Sequence, residues 1–466
     1  MSALQLRVVA VVSLLCTLVV LGAGLRVGDR AEGSALVAQR KPVTVDAPGI
    51  GGGTDTSAAS ADDASSSDEG DGDGGSAADE TSTLDAGSGG DTGEAAPADS
   101  GSGADAGAGD DGGSGPAGGE GDAAAAPQPT KIRHVFLIVL AGHGFEQDFG
   151  AGSPATYLND TLRPRGTLLT GYRSFGRAGL PDALAIVGGQ PPNADTRADC
   201  PVYREIAPTN APTRTGEIAA DGCVFPNTVT TIADQLSASR RSWKAYVEDL
   251  DRGPAQNAIP PTPAPKTTCR HPGSDAADDT LRARPGDGYA TRRNPFVYYH
   301  SLLDLGDCDA NDGGLGGLEA DLRSAKATPS LAYVAPNLCH DGTESPCVDG
   351  TPGGLAAADA FLAEWVPRIL ASPAYRADGL LVVAFAGDAT PADVSADPAA
   401  PVTNGALLVS RYAQAGGTNG TAYDPYALLR SLEDLFALRP LARAASAASF
   451  APTALADAYV TPPSDG

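Results

Sequence analysis

The amino-acid sequence predicts an α/β fold in which helices cover both faces of a mainly parallel sheet, a three-layer α/β/α sandwich. Two observations carry this prediction: short apolar runs typical of buried strands, and amphipathic segments that separate them. The apolar runs are residues 134–140, 331–334, 380–385 and 406–409. The amphipathic segments, in which apolar side chains recur at helical spacing, are residues 356–370 and 426–436. Strands that alternate with helices favour right-handed crossovers and therefore parallel neighbours.

Ligands of such sheets bind beyond the carboxyl ends of the strands. We therefore expect chemistry in the loops that follow Leu140, Pro336 and Phe385. Residues 196–288 are rich in Pro, Arg, Asp and Thr and contain three cysteines. For this segment we expect a disulfide-braced excursion over the edge of the sheet rather than a separate domain.

One globular domain is expected at residues 131–459, followed by a short tail at 460–466. Residues 31–130 are predicted to form a disordered acidic linker rich in Gly, Ala, Ser and Asp. Residues 42–130 contain 19 acidic side chains and no Lys or Arg, in a 466-residue chain of net charge −26. Such a stretch has too little apolar side chain to offset the entropy of ordering, and its like charges keep it extended. The sequence has no basic patch of the kind that binds nucleic acid, so nucleic acid is not expected as a partner.

Residues 1–30 predict export. An apolar run at residues 8–25 is preceded by Arg7 and followed by Arg26 and Arg30. The run is long for the core of a signal peptide and short for a spanning helix, so a membrane anchor and a cleaved signal peptide both remain open. We expect an extracytoplasmic protein that is secreted or anchored to the outer face of the cell membrane by this segment.

Six cysteines lie in the predicted domain, and an even number in an exported chain indicates three disulfides. They are Cys200, Cys223, Cys269, Cys308, Cys339 and Cys347. Six cysteines permit 15 pairings. We expect pairing in chain order, because the last two enclose a short loop rich in Gly and Pro. A zinc site is the alternative, but the chain has no Cys-x-x-Cys spacing and only 5 histidines.

Several motifs, in order along the chain, resemble the bacterial phosphoesterase family that includes non-haemolytic phospholipases C and secreted acid phosphatases, within the alkaline-phosphatase-like superfamily. The motifs are HVFLIVL at 134–140 followed by Gly150, PATYL at 154–158, GGQPPN at 188–193, GCVFP at 222–226, NPFVYYH at 294–300, PNLC at 336–339, CVDG at 347–350 and LLRSLEDLF at 428–436. The resemblance implies an alkaline-phosphatase-like fold. It also implies metal-assisted hydrolysis of phosphate esters, in which metals stabilise the transferring phosphoryl group.

The metal-binding positions that the resemblance implies are replaced in this chain. Family members carry a Glu-Asn pair after the first strand, where this sequence has Ala141 and Gly142. A late strand of the family ends in Asp-Glu, where this sequence has Ala386 and Gly387. None of these four residues has a side-chain oxygen, so no metal cofactor is expected.

The nucleophile and the histidines that the resemblance implies are also replaced. Gly179 stands where the family has a Ser or Thr at a helix start, and Arg177 replaces a histidine two residues earlier. The family has a downstream histidine motif where this sequence has Tyr-Asp-Pro-Tyr around Pro425. It also has an Arg-His pair where this sequence has Arg292-Arg293. Loss of the chemistry with retention of the surrounding motifs predicts a degenerate active site.

A few candidates for residual function remain. Asp341 keeps the acid of a family Asp-x-His motif, and Asp388 follows the lost Asp-Glu pair, so both are metal-ligand candidates. A single carboxylate in a glycine-containing loop is more often a turn or cap residue. His143 and Asp182 are more simply explained as a backbone-bonded loop histidine and a first-turn helix acid. Arg177, near a helix N-terminus, is an anion-binding candidate.

The sequence therefore predicts a catalytically inactive phosphoesterase-family protein that acts as a surface-tethered binding or scaffold module. Its partner would be an unidentified protein or envelope component, and membrane contact would come from residues 1–30. The alternative is an active phosphatase or phospholipase C with a divalent metal in a rebuilt site. That site would use residues from the set His143, Asp148, Asp182, Asp341 and Asp388. At least two of the acids would have to lie close enough together to bind the same metal. A third hypothesis makes the acidic linker the functional part.

Overall fold

A computed structural model of the protein describes residues 130–207, 211–252, 268–387, 389 and 397–459. The strands are β1 (His134–Ala141), β2 (Thr167–Leu169), β3 (Arg173–Ser174), β4 (Trp243–Val247), β5 (Asp312–Gly313), β6 (Leu331–Ala335), β7 (Gly379–Ala386), β8 (Val402–Thr403), β9 (Ala406–Val409) and β10 (Gly417–Asn419). The α-helices are α1 (Phe145–Phe149), α2 (Leu180–Gly188), α3 (Ile232–Ala238), α4 (His300–Leu303), α5 (Asp307–Asn311), α6 (Leu315–Asp321), α7 (Leu355–Ala371), α8 (Pro373–Asp378), α9 (Pro425–Leu435) and α10 (Ala451–Ala454). Between these elements lie a π-helical turn (Tyr157–Leu162) and several short 3-10 turns, among them Thr196–Ala198 and Thr291–Arg293.

The main sheet has the strand order β10-β2-β9-β7-β1-β6-β4-β5 in the described residues. β1 lies in its interior, parallel to β7 and to β6. The register places Ala141 opposite Ala386, so two positions that the resemblance marked as metal-binding lie side by side at the carboxyl edge. β9 runs antiparallel to β7 and to β2. The mainly parallel sheet is confirmed, and the strand predicted at 406–409 is its antiparallel member.

Burial along β1 shows why the fold has three layers. Val135, Leu137 and Val139 belong to one core cluster, which includes residues of α2, α3 and α9. Phe136, Ile138 and Leu140 belong to a second cluster, which includes residues of α6 and α7. Successive side chains of a strand point to opposite faces, so a strand buried on both faces is apolar throughout. The predicted α/β/α sandwich is confirmed.

Residues 196–288 are more regular than the sequence suggested. They contain α3 and β4, and β4 pairs in parallel with β6 inside the main sheet. The helix start is locally encoded, because Thr231 accepts a hydrogen bond from the backbone N–H of Asp234 and the Asp234 side chain accepts one in return. The prediction of an excursion over the sheet edge is wrong for this part of the segment.

Three disulfides join Cys200 to Cys223, Cys269 to Cys308 and Cys339 to Cys347. The pairing in chain order is confirmed. Disulfides form and persist in oxidising compartments, so three of them are typical of an extracytoplasmic protein.

The predicted N-terminal segment, the acidic linker up to residue 129 and the tail at 460–466 lie outside the described residues. Among the helices that are described, none combines the length and the apolar character that crossing a bilayer requires.

Glu433 of α9 is a fully buried acid whose ionisation opposes folding. Its Oε1 accepts a hydrogen bond of 2.8 Å from the backbone N–H of Leu441. Burial raises the pKa of Glu433 from 4.5 to about 9, although that hydrogen bond and the Arg430 guanidinium act in the opposite direction. Between pH 4.5 and about pH 9, the folded chain therefore retains a proton on Glu433 that the unfolded chain has already lost.

We expect Glu433→Gln to change the pH dependence of stability. The contribution of a group with a raised folded pKa is present below its unfolded pKa and is lost as pH rises through the folded pKa. Glutamine stays neutral and can still accept from Leu441. The free energy of unfolding of the variant, relative to the wild type, should therefore rise from pH 5 to pH 9 by more than about 1.4 kcal/mol, the equivalent of one pKa unit. Urea unfolding measures it, with the exposed Glu364→Gln as the matched control; an equal response of both variants would contradict the prediction.

Candidate functional site

The carboxyl edge of the sheet brings together most of the positions at which the resemblance implies catalytic or metal-binding residues. The backbone N–H of Gly142 donates to the carbonyl of Ala386 at 3.4 Å. Gly387 has a φ of +70°, and a Cβ atom at this position would lie 2.5 Å from the carbonyl oxygen of Arg177 and 2.9 Å from the backbone nitrogen of Gly179. The close approach and the left-handed backbone both require glycine at residue 387. The ends of β1 and β7 therefore meet the start of α2.

A cavity of about 160 Å³ opens at this meeting point. Its lining combines small side chains at the family positions with three arginines. The lining residues are Ala141, Arg177, Gly179, Asp199, Arg292, Arg293, Thr343, Ala386 and Ala389. The sequence comparison thus located the cavity, but Asp199 was not among the predicted site residues.

Asn404 occupies the space that a family side chain would need at residue 142. A Cβ atom added at Gly142 would lie 2.4 Å from Nδ2 of Asn404. The Asn404 amide is fully buried, donates to the carbonyl of Gly387 at 2.9 Å and accepts from the backbone N–H of Gly144 at 3.2 Å. One neutral side chain therefore ties the β1 loop to the β7 loop.

Asp182 is buried, and its carboxylate binds backbone N–H groups rather than lining the cavity. Its two carboxylate oxygens accept from the backbone N–H groups of Phe175 at 2.9 Å and Gly387 at 2.7 Å. Burial raises the pKa of Asp182 to about 8, and the two hydrogen bonds act against this shift. The interpretation of Asp182 as a structural first-turn acid agrees with these contacts.

Asp341, the surviving family acid, pairs with an arginine. Its Oδ2 lies 2.5 Å from Nε of Arg293, and the two side chains are 0% and 7% exposed. Neither atom has a well-directed hydrogen bond, so charge holds the pair together. Asp341 also accepts from the backbone N–H of Thr343 at 2.6 Å, and Nη2 of Arg293 donates to Oγ1 of Thr343 at 2.9 Å. A guanidinium thus lies against the Asp341 carboxylate and balances its charge.

Asp199 and Arg292 complete the cavity wall. Oδ1 of Asp199 accepts from the backbone N–H of Leu180, the first residue of α2, at 3.0 Å. Its Oδ2 lies 3.8 Å from Nε of Arg292. Arg292 also donates through Nη1 to the carbonyl of Leu281 at 3.0 Å. The cavity therefore has a helix N-terminus and an arginine already in contact with a carboxylate.

His143 and Pro425 are not among the residues that line the cavity. His143 contacts the carbonyl of Gly342 through Nε2 at 3.0 Å and Oδ1 of Asp148 through Nδ1 at 3.4 Å. Burial acts to lower the pKa of His143, but the hydrogen bond and charge of Asp148 outweigh it, so that pKa is raised. Pro425 begins α9, where Asp424 caps the helix by accepting from the backbone N–H of Ala427. Asp388 lies outside the described residues.

The described residues do not fit the metal centre that the family implies. Only one group of three potential ligand atoms lies close together in the described part of the chain: Cys269, Cys308 and Asp312. The two cysteines form a disulfide, so they offer no thiolate to a metal. Around the cavity itself, the wall consists of guanidinium groups, small side chains and a paired carboxylate.

Comparison with known proteins places the chain in a family. The model of the Phosphoesterase family matches residues 163–439. No curated protein sequence matches the chain.

Three solved structures illustrate what the chain is similar to. An alkaline phosphatase superfamily protein from Vibrio parahaemolyticus is 13% identical, with a TM-score of 0.39 over 68% of this chain and 72% of that one. A phosphonate monoester hydrolase from Silicibacter pomeroyi is 11% identical, with a TM-score of 0.33 over 72% and 78%. The lipoteichoic acid synthase LtaP from Listeria monocytogenes is 10% identical, with a TM-score of 0.35 over 67% and 74%. Because the family model spans more than half of the sequence, this chain belongs to the Phosphoesterase family.

Proposed function

We propose that this chain is an exported member of the Phosphoesterase family that does not hydrolyse phosphate esters and instead serves as a binding module. In this proposal its N-terminal segment tethers it to the outer face of the cell membrane. An oxyanion carried by a protein or by another envelope component would be its ligand. The observation that carries the proposal is the arginine-lined cavity formed at the family's catalytic positions.

The charge of the cavity wall opposes a divalent cation. Mg²⁺, Ca²⁺ and Zn²⁺ are held by several carboxylate oxygens or imidazole nitrogens that converge on one point. Here three guanidinium groups line the cavity, and guanidinium has donors but no acceptor. The nearest family acid, Asp341, is already paired with Arg293. Among the described residues, no set of ligands for a metal-assisted mechanism lies at this place.

In the described part of the chain, the cavity also lacks an activated nucleophile. Gly179 offers no hydroxyl, and the hydroxyl that lines the wall belongs to Thr343. Nη2 of Arg293 donates to that hydroxyl, and an arginine cannot act as a general base because it stays protonated. Activation of a hydroxyl nucleophile requires an adjacent base, a lowered pKa or a metal.

The same lining suits an anion. Guanidinium forks match the oxygen atoms of phosphate and of carboxylate, and the N-terminus of α2 adds a favourable dipole. The predicted anion-binding residue Arg177 lines this cavity together with Arg292 and Arg293. We therefore place the ligand's charged group between these arginines and the start of α2.

The test is a hydrolysis assay with the purified full chain. Aryl phosphates, phosphodiesters and phosphatidyl lipids are presented with and without Mg²⁺, Mn²⁺, Zn²⁺ and Ca²⁺, alongside an active alkaline phosphatase as a positive control. We expect no turnover above the uncatalysed background from folded protein. Metal-dependent turnover that Asp341→Asn or Asp388→Asn abolishes would overturn the proposal in favour of a rebuilt active site.

A further inference from the structure

We propose that the Asp199 carboxylate is a built-in occupant of the anion site, which an external oxyanion must displace in order to bind. This inference rests on the proposed function, because it assumes that the cavity binds an anion. It adds a regulatory element: the affinity for the ligand is set by competition with a side chain of the same molecule.

The contacts of Asp199 are those that a bound anion would make. One oxygen accepts from the first backbone N–H of α2, at Leu180, and the other lies 3.8 Å from Nε of Arg292. The carboxylate thus bridges the helix N-terminus and a cavity arginine. Its side chain is 28% exposed, so a ligand from solvent can reach the oxygens without opening the core.

The carboxylate comes from outside the helix that it contacts. N-terminal caps usually come from the residue just before the helix, but that residue here is Gly179, which has no side chain. Asp199 follows the 3-10 turn Thr196–Ala198 and precedes Cys200, whose disulfide to Cys223 anchors the loop. Asp199 and Cys200 have φ values of +56° and +55°, a conformation that non-glycine residues rarely adopt. The loop is therefore held in the shape that delivers this carboxylate to α2.

A second group faces the same place and is only partly satisfied. Arg293 is 94% buried, and its Nη1 lies 3.1 Å from the position of a Cβ on Gly179. Nε and Nη2 of Arg293 contact Asp341 and Thr343, whereas Nη1 has no hydrogen-bond partner among the described residues. Nη1 of a buried guanidinium thus lies at the start of α2, and among the described residues Asp199 contacts Leu180 and Arg292 but not this nitrogen.

The chemistry of the displacing ligand follows from this arrangement. A tetrahedral dianion has more oxygens and more charge than a carboxylate, so it can contact Leu180, Arg292 and Nη1 of Arg293 together. A cavity of about 160 Å³ is below the range of sites that enclose a drug-sized ligand. We therefore assign the ligand class as free phosphate or the terminal phosphate of a monoester.

The experiment compares the full-length wild type, Asp199→Asn and Asp195→Asn by calorimetric titration at fixed pH and ionic strength. Asparagine keeps an acceptor for Leu180 but removes the competing charge. Asp195 belongs to the same loop but pairs with Arg204, so its variant is the matched control. One arm uses inorganic phosphate and the other glycerol 3-phosphate, which distinguishes free phosphate from a monoester terminus. We expect Asp199→Asn to bind the probe at least about tenfold more tightly than the wild type, a difference of ~1.4 kcal/mol, and Asp195→Asn to match the wild type.

Equal or weaker binding by Asp199→Asn would overturn the inference while leaving an anion-binding function in place. Absence of binding by all three proteins in both arms would overturn the anion ligand as well as the inference. A measurement on the wild type does not depend on the folding of any variant. Saturating phosphate should shift the NMR resonance of the Leu180 amide, and an unchanged resonance with phosphate bound would show that Asp199 had not moved.

Discussion

Replacement of Arg293 by methionine is expected to lower the free energy of unfolding by about 3–5 kcal/mol, the range for removing one partner of a buried ion pair. Asp341 is 0% exposed and would remain in the core without the guanidinium that contacts it. Its single backbone hydrogen bond, from Thr343, does not replace that charge. Urea unfolding of the full chain at pH 7 measures the change.

The double variant Arg293→Met with Asp341→Asn separates the charge effect from the loss of packing. Removing both charges should recover most of the stability, because an asparagine can still accept from Thr343 and has no charge to compensate. Arg368→Met is the matched control, since Arg368 pairs with Glu364 at the surface, with exposed fractions of 44% and 56%. Exposed pairs contribute ~0–1 kcal/mol. A cost for Arg293→Met as small as that of the control would show that the pair is not structurally important.

The fold could be predicted because buried parallel strands are continuously apolar. The run at 134–140 corresponds to β1, and the run at 380–385 lies within β7. β4 was missed because Lys244 interrupts its apolar sequence. In the structure the Lys244 ammonium lies 2.6 Å from Oδ2 of Asp321, beside the edge of the sheet, where a charge can stay partly solvated. Strands of two or three residues, such as β2 and β10, leave too short a pattern to detect.

The location of the candidate site could be predicted from the sequence, but the residues that now occupy it could not. The resemblance to family motifs singled out Ala141, Gly179 and Ala386, and the structure brings these three residues to one cavity. The groups that now fill the place come from distant parts of the chain. Asn404 lies 260 residues after Gly144, whose N–H it binds, and no local pattern links the two. Asp199 contacts α2 from a loop shaped by a disulfide, so its role depends on tertiary structure.

The loop that holds Asp199 also gives a prediction for stability. We expect Cys200→Ala with Cys223→Ala to lower the free energy of unfolding by about 3.4 kcal/mol, the loss of chain-entropy stabilisation for a loop of this length. The two cysteines are 23 residues apart and fully buried, and alanine keeps the site apolar. Urea unfolding under oxidising conditions measures the change. Hydrogen exchange at the Leu180 amide should also become faster, because its acceptor is Asp199, next to Cys200.

The disulfide between Cys339 and Cys347 provides the comparison, because its cysteines are only 8 residues apart. Its removal by the same substitutions should cost about 2.5 kcal/mol in the chain-entropy account and should leave the exchange of the Leu180 amide unchanged. The difference between the two variants therefore lies mainly in the local exchange and not in global stability. If both variants accelerated exchange at Leu180 equally, that amide would open only with global unfolding, and the Cys200–Cys223 bridge would have no particular role in holding Asp199 at α2.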